Sequence, residues 1–146
     1  PTRHGRCDST WCWDNELWLA LEAKSEHNTA GTLSIKDVRQ SNGQLQLLAD
    51  DRNCSTIPPD SAVVIISPKP GVHSDAITIA HNDIYLVHPD AIRTIADDTE
   101  RAWKRLLTGW TDMSTKDLHT LVTQTLRGFE LFPSDLRIRL TNNPIG

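Results

Sequence analysis

Cysteine is scarce. Three residues, Cys7, Cys12 and Cys54, in a chain of 146 are too few, and odd in number, for a disulfide framework. A reducing compartment, the cytoplasm, is therefore expected. Long apolar runs are missing as well: nothing approaches the ~18 residues of a membrane span, so no membrane partner is expected. Pro1 to Arg6 is polar and basic with no apolar stretch behind it, unlike a secretory leader. The initiator Met is absent, which raises the expectation of a processed chain or an excised domain. Internal repeats and low-complexity segments are absent too. Positive charge is in deficit, with 15 Lys and Arg against 19 Asp and Glu, a formal net charge of −4. Nucleic-acid affinity rests on phosphate neutralisation, so any grip on DNA has to come from a local basic rim. Arg3, His4, Arg6, Lys24, Lys36 and Arg39 are placed to form one. A larger parent protein or a partner subunit would then supply further affinity. No recognition helix or base-reading motif is visible.

What is present is an ordinary soluble composition, 38% hydrophobic, in a length that suits one domain with a sizeable core. The chemistry concentrates near the start. Cys7-Asp8-Ser9-Thr10-Trp11-Cys12-Trp13 and Leu17-Trp18-Leu19-Ala20-Leu21-Glu22-Ala23-Lys24 read as two strands joined by Asp14-Asn15-Glu16, which has turn chemistry. In the second strand Leu17, Leu19, Leu21 and Ala23 face one way, and Trp18, Ala20, Glu22 and Lys24 the other. An acid and a lysine thus share a face at the end of an apolar strand. Loop length decides whether Asp8 joins them. A two-residue Asp14-Asn15 turn turns Asp8 away; a three-residue loop, or a bulge, sets it opposite Glu22 on the same face. The odd-length loop is predicted. Two carboxylates at the roughly 4.5–5.5 Å of cross-strand neighbours repel unless a cation lies between them, and hard oxygen ligands of this kind suit Mg²⁺.

An Asp, a strand, and then Glu-x-Lys near the end of the next strand resembles the PD-(D/E)XK nuclease superfamily, the restriction-endonuclease-like fold. Here the pattern reads Cys7-Asp8 followed by Glu22-Ala23-Lys24, with Cys7 in place of the proline of the family name. The resemblance covers roughly residues 1–95 and rests on the order of elements. It implies an α/β fold, a restriction-endonuclease-like mixed sheet flanked by helices, with extra C-terminal helices. It also implies Mg²⁺ bound by Asp8, Glu22 and the Ala23 carbonyl, with Mn²⁺ able to substitute, and Lys24 beside the attacking water. A glutamine on the helix after the Glu-x-Lys strand lines the site in several branches of the superfamily. Gln40 is the candidate for that place, with Gln44 behind it. The implied function is metal-dependent hydrolysis of DNA phosphodiester bonds, of a restriction, defence or repair type. The alternative is a non-catalytic nuclease-fold module that docks DNA or protein within a larger machine. The family fold usually opens with a helix and a strand before the Asp-bearing strand, whereas only seven residues precede Asp8. Either those elements lie outside this chain or the C-terminal helices take their place.

The rest of the chain reads as follows. Residues 25–32 form a polar loop, with Glu26 and His27 near enough in sequence to reach the site. One helix is expected from about Ile35 to Asp50, with Ser34 and Asp37 as a capping box. Ile35, Val38, Asn42, Leu45 and Ala49 lie on its apolar stripe. Gly43 in its interior suggests close approach of the helix to the sheet or to a nucleic-acid backbone. Ala62 to Ser67 reads as a strand buried on both faces, and Pro68-Lys69-Pro70-Gly71 as a loop with a possible substrate contact. β-Branching favours a strand over a helix for Asp75 to Ala80. A strand at Ile84 to His88 precedes a helix over about 90–107, and Ser114 with Asp117 caps another that runs to about Arg127. Residues 129–146 are consistent with a strand or a helix. A domain division at 1–110 and 111–146 is expected, the second part a helical extension. A zinc set of His4, Cys7, Cys12 and His27 is a rival metal reading, opposed by the different parity of the two cysteines.

Overall fold

The computed structural model describes residues 5–25 and 29–146. Two compact units divide the chain, one of residues up to Pro89 together with Leu140–Gly146, the other Asp90–Arg139. This differs from a division at 110: the long fourth helix starts the second unit, and the last residues return to the first.

The first unit is a mixed α/β structure. Strands β1 (Ser9–Trp13), β2 (Leu17–Ala23), β4 (Ala62–Ile66) and β6 (Ile84–Val87) form one sheet in the order β1-β2-β4-β6. β1 runs antiparallel to β2, while β2, β4 and β6 are mutually parallel. Parallel neighbours need a crossover. Between β2 and β4 it is made by α1 (Ile35–Ser41) and α2 (Gln44–Asp51), and between β4 and β6 by α3 (Ser74–Ile79). A second, two-residue pairing joins β3 (Thr32–Leu33) to β5 (Gly71–Val72).

Burial on both faces explains the continuous apolar runs of the inner strands. Leu17 to Leu21 and Ala62 to Ile65 are all at or below 4% exposure. On the helix-bearing face, Trp18, Ala20, Val63, Ile65, Ile84 and Leu86 pack with Val38 of α1 and Leu45 and Ala49 of α2. Each such large apolar side chain contributes about 1.5–3 kcal/mol. Trp18 also donates its indole N–H to the Asp14 carbonyl at 2.7 Å, and Arg52 stacks 5.3 Å over its ring. Wherever Trp18 faces, Glu22 faces too, so the strand's period of two carries a carboxylate to the edge of this core.

Two expectations are corrected by the backbone, and the tail, open between strand and helix, is placed. The single helix over 35–50 is two helices, because Gly43 takes a left-handed conformation at φ 81° between them. No atom lies within 4 Å of where a Gly43 Cβ would stand, so the glycine serves the backbone turn and not a close approach to the sheet. Residues 75–80 form helix α3 instead of a strand. His73 accepts the Asp75 N–H at its start, and Asn42 accepts and donates at its end, from the His81 N–H (3.2 Å) and to the Ile79 carbonyl (2.8 Å). The tail is helix α6 (Pro133–Leu140), followed by a return to the sheet. There Leu86 donates to Asn143 and Ile145 donates to Ile84, which closes the outer edge of β6.

The second unit contains α4 (Pro89–Gly109), α5 (Thr115–Gly128) and most of α6. Ser114 caps α5 as expected. Asp98 is the polar centre of this unit: it accepts from Arg139 at 2.6 Å and from Arg101, and these hydrogen bonds, led by Arg139, hold its carboxyl below the usual range. Among the described residues no helix is long and apolar enough to cross a membrane.

Candidate functional site

The β1–β2 pairing runs Trp13 opposite Leu17, Thr10 opposite Ala20 and Ser9 opposite Leu21. The loop between the strands is therefore the three residues Asp14, Asn15 and Glu16, with Asp14 at φ 44° and Glu16 N–H donating to Trp13 O at 2.9 Å. The paired residues end at Ser9, and Asp8 is the next residue out. The Asp8 N–H donates to Leu21 O at 3.0 Å, and its carboxylate Oδ2 accepts the Ala23 N–H at 2.8 Å. Asp8 thus takes the place of a strand carbonyl on the free edge of β2. A residue in a strand sends its N–H and C=O to the same side, so the Ala23 carbonyl is directed to the Asp8 side as well.

Glu22 is only 4% exposed. Its Oε1 accepts from Lys24 Nζ at 2.9 Å and from Gln40 Nε2 at 2.8 Å. Gln40 Oε1 in turn accepts from Lys24 Nζ at 3.2 Å, which fixes the orientation of its amide. The third neighbour of Lys24 is Asp37 Oδ1 at 3.6 Å. Helix α1 brings Gln40 and Asp37 to this point because its capping box pins its first turn: Asp37 Oδ2 accepts from Ser34 N–H and Oγ, and Asp37 N–H donates to Ser34 Oγ. Burial pushes the Asp37 carboxyl up. The Ser34 hydrogen bonds and the charges of Lys24 and Lys69 outweigh it and bring the carboxyl below its usual range. Burial likewise pushes the neighbouring Cys7 thiol up, with Glu22 and Asp8 adding to the effect.

One atom in this network has no partner. Glu22 Oε2 is buried and accepts no hydrogen bond among the described residues. A buried carboxylate oxygen left so costs on the order of 1–3 kcal/mol or more unless a cation meets it. Among the described residues no three His, Cys, Asp or Glu side chains gather as a metal group. The donors present are two carboxylates and a backbone carbonyl, a set that fits Mg²⁺, which is commonly held by one or two carboxylates with water and substrate oxygens completing its shell. All of it lies at the carboxyl ends of the parallel strands, where open α/β sheets bind ligands.

Glu22, Lys24 and Gln40 thus share one hydrogen-bonded network, and Asp8 is joined to the same strand through the Ala23 N–H. Gln44 is not bonded to these side chains: its buried amide is bonded to the Gly5 and Gln40 carbonyls and the Cys7 N–H. Asp37 was read from the sequence as a helix cap, which it is, but it also holds Lys24. Lys69, in the loop expected to offer a substrate contact, acts on Asp37 by its charge. Only the fold brings β1's start, β2's end and these two residues together. Glu26 and His27, and with them Arg3 and His4 of the expected basic rim and zinc set, lie outside the described residues. Arg6 of that rim is paired with Asp51. No family model matches this chain, and no curated protein and no solved structure matches it.

Proposed function

We propose that this chain is a divalent-metal-dependent nuclease of PD-(D/E)XK type that hydrolyses DNA phosphodiester bonds. The observation that carries the reading is the buried Glu22 carboxylate: one oxygen is held by Lys24 and Gln40, the other has no partner, and Asp8 sits on the adjoining strand edge. Asp8, Glu22 and the Ala23 carbonyl would hold the ion. When bound, it supplies Lewis-acid polarisation of a phosphoryl oxygen and acidifies water. Lys24 keeps a positive charge beside Glu22 where negative charge develops in phosphate cleavage. Gln40 restrains both side chains, so neither has to reorganise on binding. Asp37 and Lys69 extend the charged surface along the carboxyl ends of β2 and β4. The choice of DNA over RNA rests on the family resemblance.

A second reading, a docking module without catalysis, is favoured by one observation: Lys24 is already neutralised by Glu22 and Asp37. Nicking of supercoiled plasmid separates the two. Wild type should nick in Mg²⁺ or Mn²⁺ and not in EDTA, and Lys24→Ala should lose about 10²–10³-fold of the rate. Absence of metal-dependent nicking, or equal nicking by Lys24→Ala, sinks the nuclease proposal and leaves the docking module.

A further inference from the structure

Gln44 stands at the first turn of α2, where a polar residue normally faces water. Its side chain is instead 1% exposed. A primary amide donates two hydrogen bonds and accepts up to two. Gln44 uses both donors, to the Gly5 carbonyl at 2.6 Å and the Gln40 carbonyl at 2.9 Å, and its Oε1 accepts the Cys7 N–H at 3.0 Å. These partners belong to two different arms of the candidate centre. Gly5 and Cys7 lie in the segment that delivers Asp8, whereas Gln40 carries the amide bonded to Glu22 and Lys24. An apolar residue of equal volume would fill the same space. It would also take the partner from two part-buried carbonyls and one part-buried N–H, a costly arrangement.

We propose that Gln44 is a positioning residue: it clamps the backbone before Asp8 to the end of α1, and so fixes the Asp8 carboxylate against Ala23. Asp8 needs such a clamp because it is exposed and precedes the first residue of β1. Gly5 upstream, at φ 102°, turns the chain into that position. The catalytic consequence rests on the nuclease reading above; the clamp itself does not.

Amide hydrogen exchange of the full chain by NMR tests the clamp without activity or metal. Gln44→Met keeps the volume and removes the three hydrogen bonds. It should speed exchange of the Ala23 amide, which Asp8 protects, by about tenfold or more while the Leu19 and Leu21 amides keep their wild-type rates. An unchanged Ala23 rate overturns the proposal, as does a uniform acceleration along β2, which marks lost stability alone. If Gln44→Met fails to fold, Gln44→Glu, which keeps the acceptor for Cys7, should show the same selective effect; failure of both to fold makes Gln44 a packing residue and overturns the proposal. In the nicking assay the half-saturating Mg²⁺ of the variant should rise about tenfold with the rate at saturating Mg²⁺ within about threefold. A selective Ala23 effect in a protein that never nicks leaves the clamp standing and removes the nuclease reading.

Discussion

Replacing Glu22 by Gln separates a metal ligand from a structural acid. Gln keeps the shape, and its oxygen can still accept from Lys24 and Gln40, at 2.9 and 2.8 Å in the wild type. Its NH₂ falls where the unpartnered Oε2 stands, so one orphaned buried atom replaces another. The charge-assisted share of the Lys24 bond is lost and the desolvation of a buried carboxylate is relieved. These oppose each other, and the metal-free stability should move by only about 1 kcal/mol. The metal-bound difference is larger. A ligand at one hundred times its Kd stabilises the folded state by about 2.7 kcal/mol, which for a domain of under ~100 residues raises Tm by on the order of 10–20 °C. Calorimetric scans in EDTA and in a Mg²⁺ titration should show that rise in wild type, saturating with metal, and little or none in Glu22→Gln. A metal-dependent rise of equal size in both proteins would refute the role of Oε2. So would a wild type whose Tm ignores millimolar Mg²⁺ and Mn²⁺.

Three further outcomes follow from the same geometry. Asp8→Asn keeps an oxygen for the Ala23 N–H but removes the charge; Mg²⁺-dependent nicking should fall at least about 100-fold with the EDTA Tm nearly unchanged, and nicking at the wild-type rate would exclude Asp8 from the centre. Gly43→Ala meets no atom yet forces Ala to a positive φ, so urea midpoints should report a loss of about 1–2 kcal/mol. Asp98→Asn should destabilise the second unit by about 2 kcal/mol near neutral pH. Because the Asp98 carboxyl is held below its usual range, that contribution is complete above the ordinary carboxyl pKa of about 3.9 and fades as pH falls through the lowered folded value. Wild-type and variant urea midpoints should therefore draw together as the pH falls into the acid range, and a gap that does not narrow at all between neutral pH and acid contradicts the Arg139 pairing.

The hairpin was legible because its information is local. Period-two alternation assigns faces, and an odd loop assigns parity, so the register from Trp13 against Leu17 to Ser9 against Leu21 is legible without coordinates. The capping box at Ser34 and the N-cap at Ser114 were legible for the same reason. The failures were nonlocal, or turned on backbone sign. Helical spacing runs through Gly43 as though the helix were continuous, but Asn42 leaves the helical region at ψ 133° and Gly43 follows with a positive φ. Ile77, Thr78 and Ile79 carry the β-branching of a strand, yet Asn42, 37 residues before Ile79, caps the end of α3. The two-residue pairing of β3 with β5 has no sequence signature of its own. In the tail, Leu and Arg alternate as in a strand. The better signal was Pro133 at a first helical position, with Asp135 accepting the Phe132 N–H at 3.2 Å. At the centre, Glu22, Ala23 and Lys24 came from one short motif. Asp37 and Lys69 could not, because each reaches Lys24's surroundings only after a crossover.

The strand-like return of Asn143–Ile145 along β6 has a practical consequence for handling the protein. A Cβ at Gly146 would stand 2.8 Å from the Ala80 oxygen and 3.1 Å from that of His81. Any residue other than glycine at this position has to push the corner between α3 and β6 aside. An affinity tag or fluorophore joined through a substituted residue 146 would therefore pry at the sheet margin, whereas a glycine-led linker that keeps Gly146 leaves the seam shut.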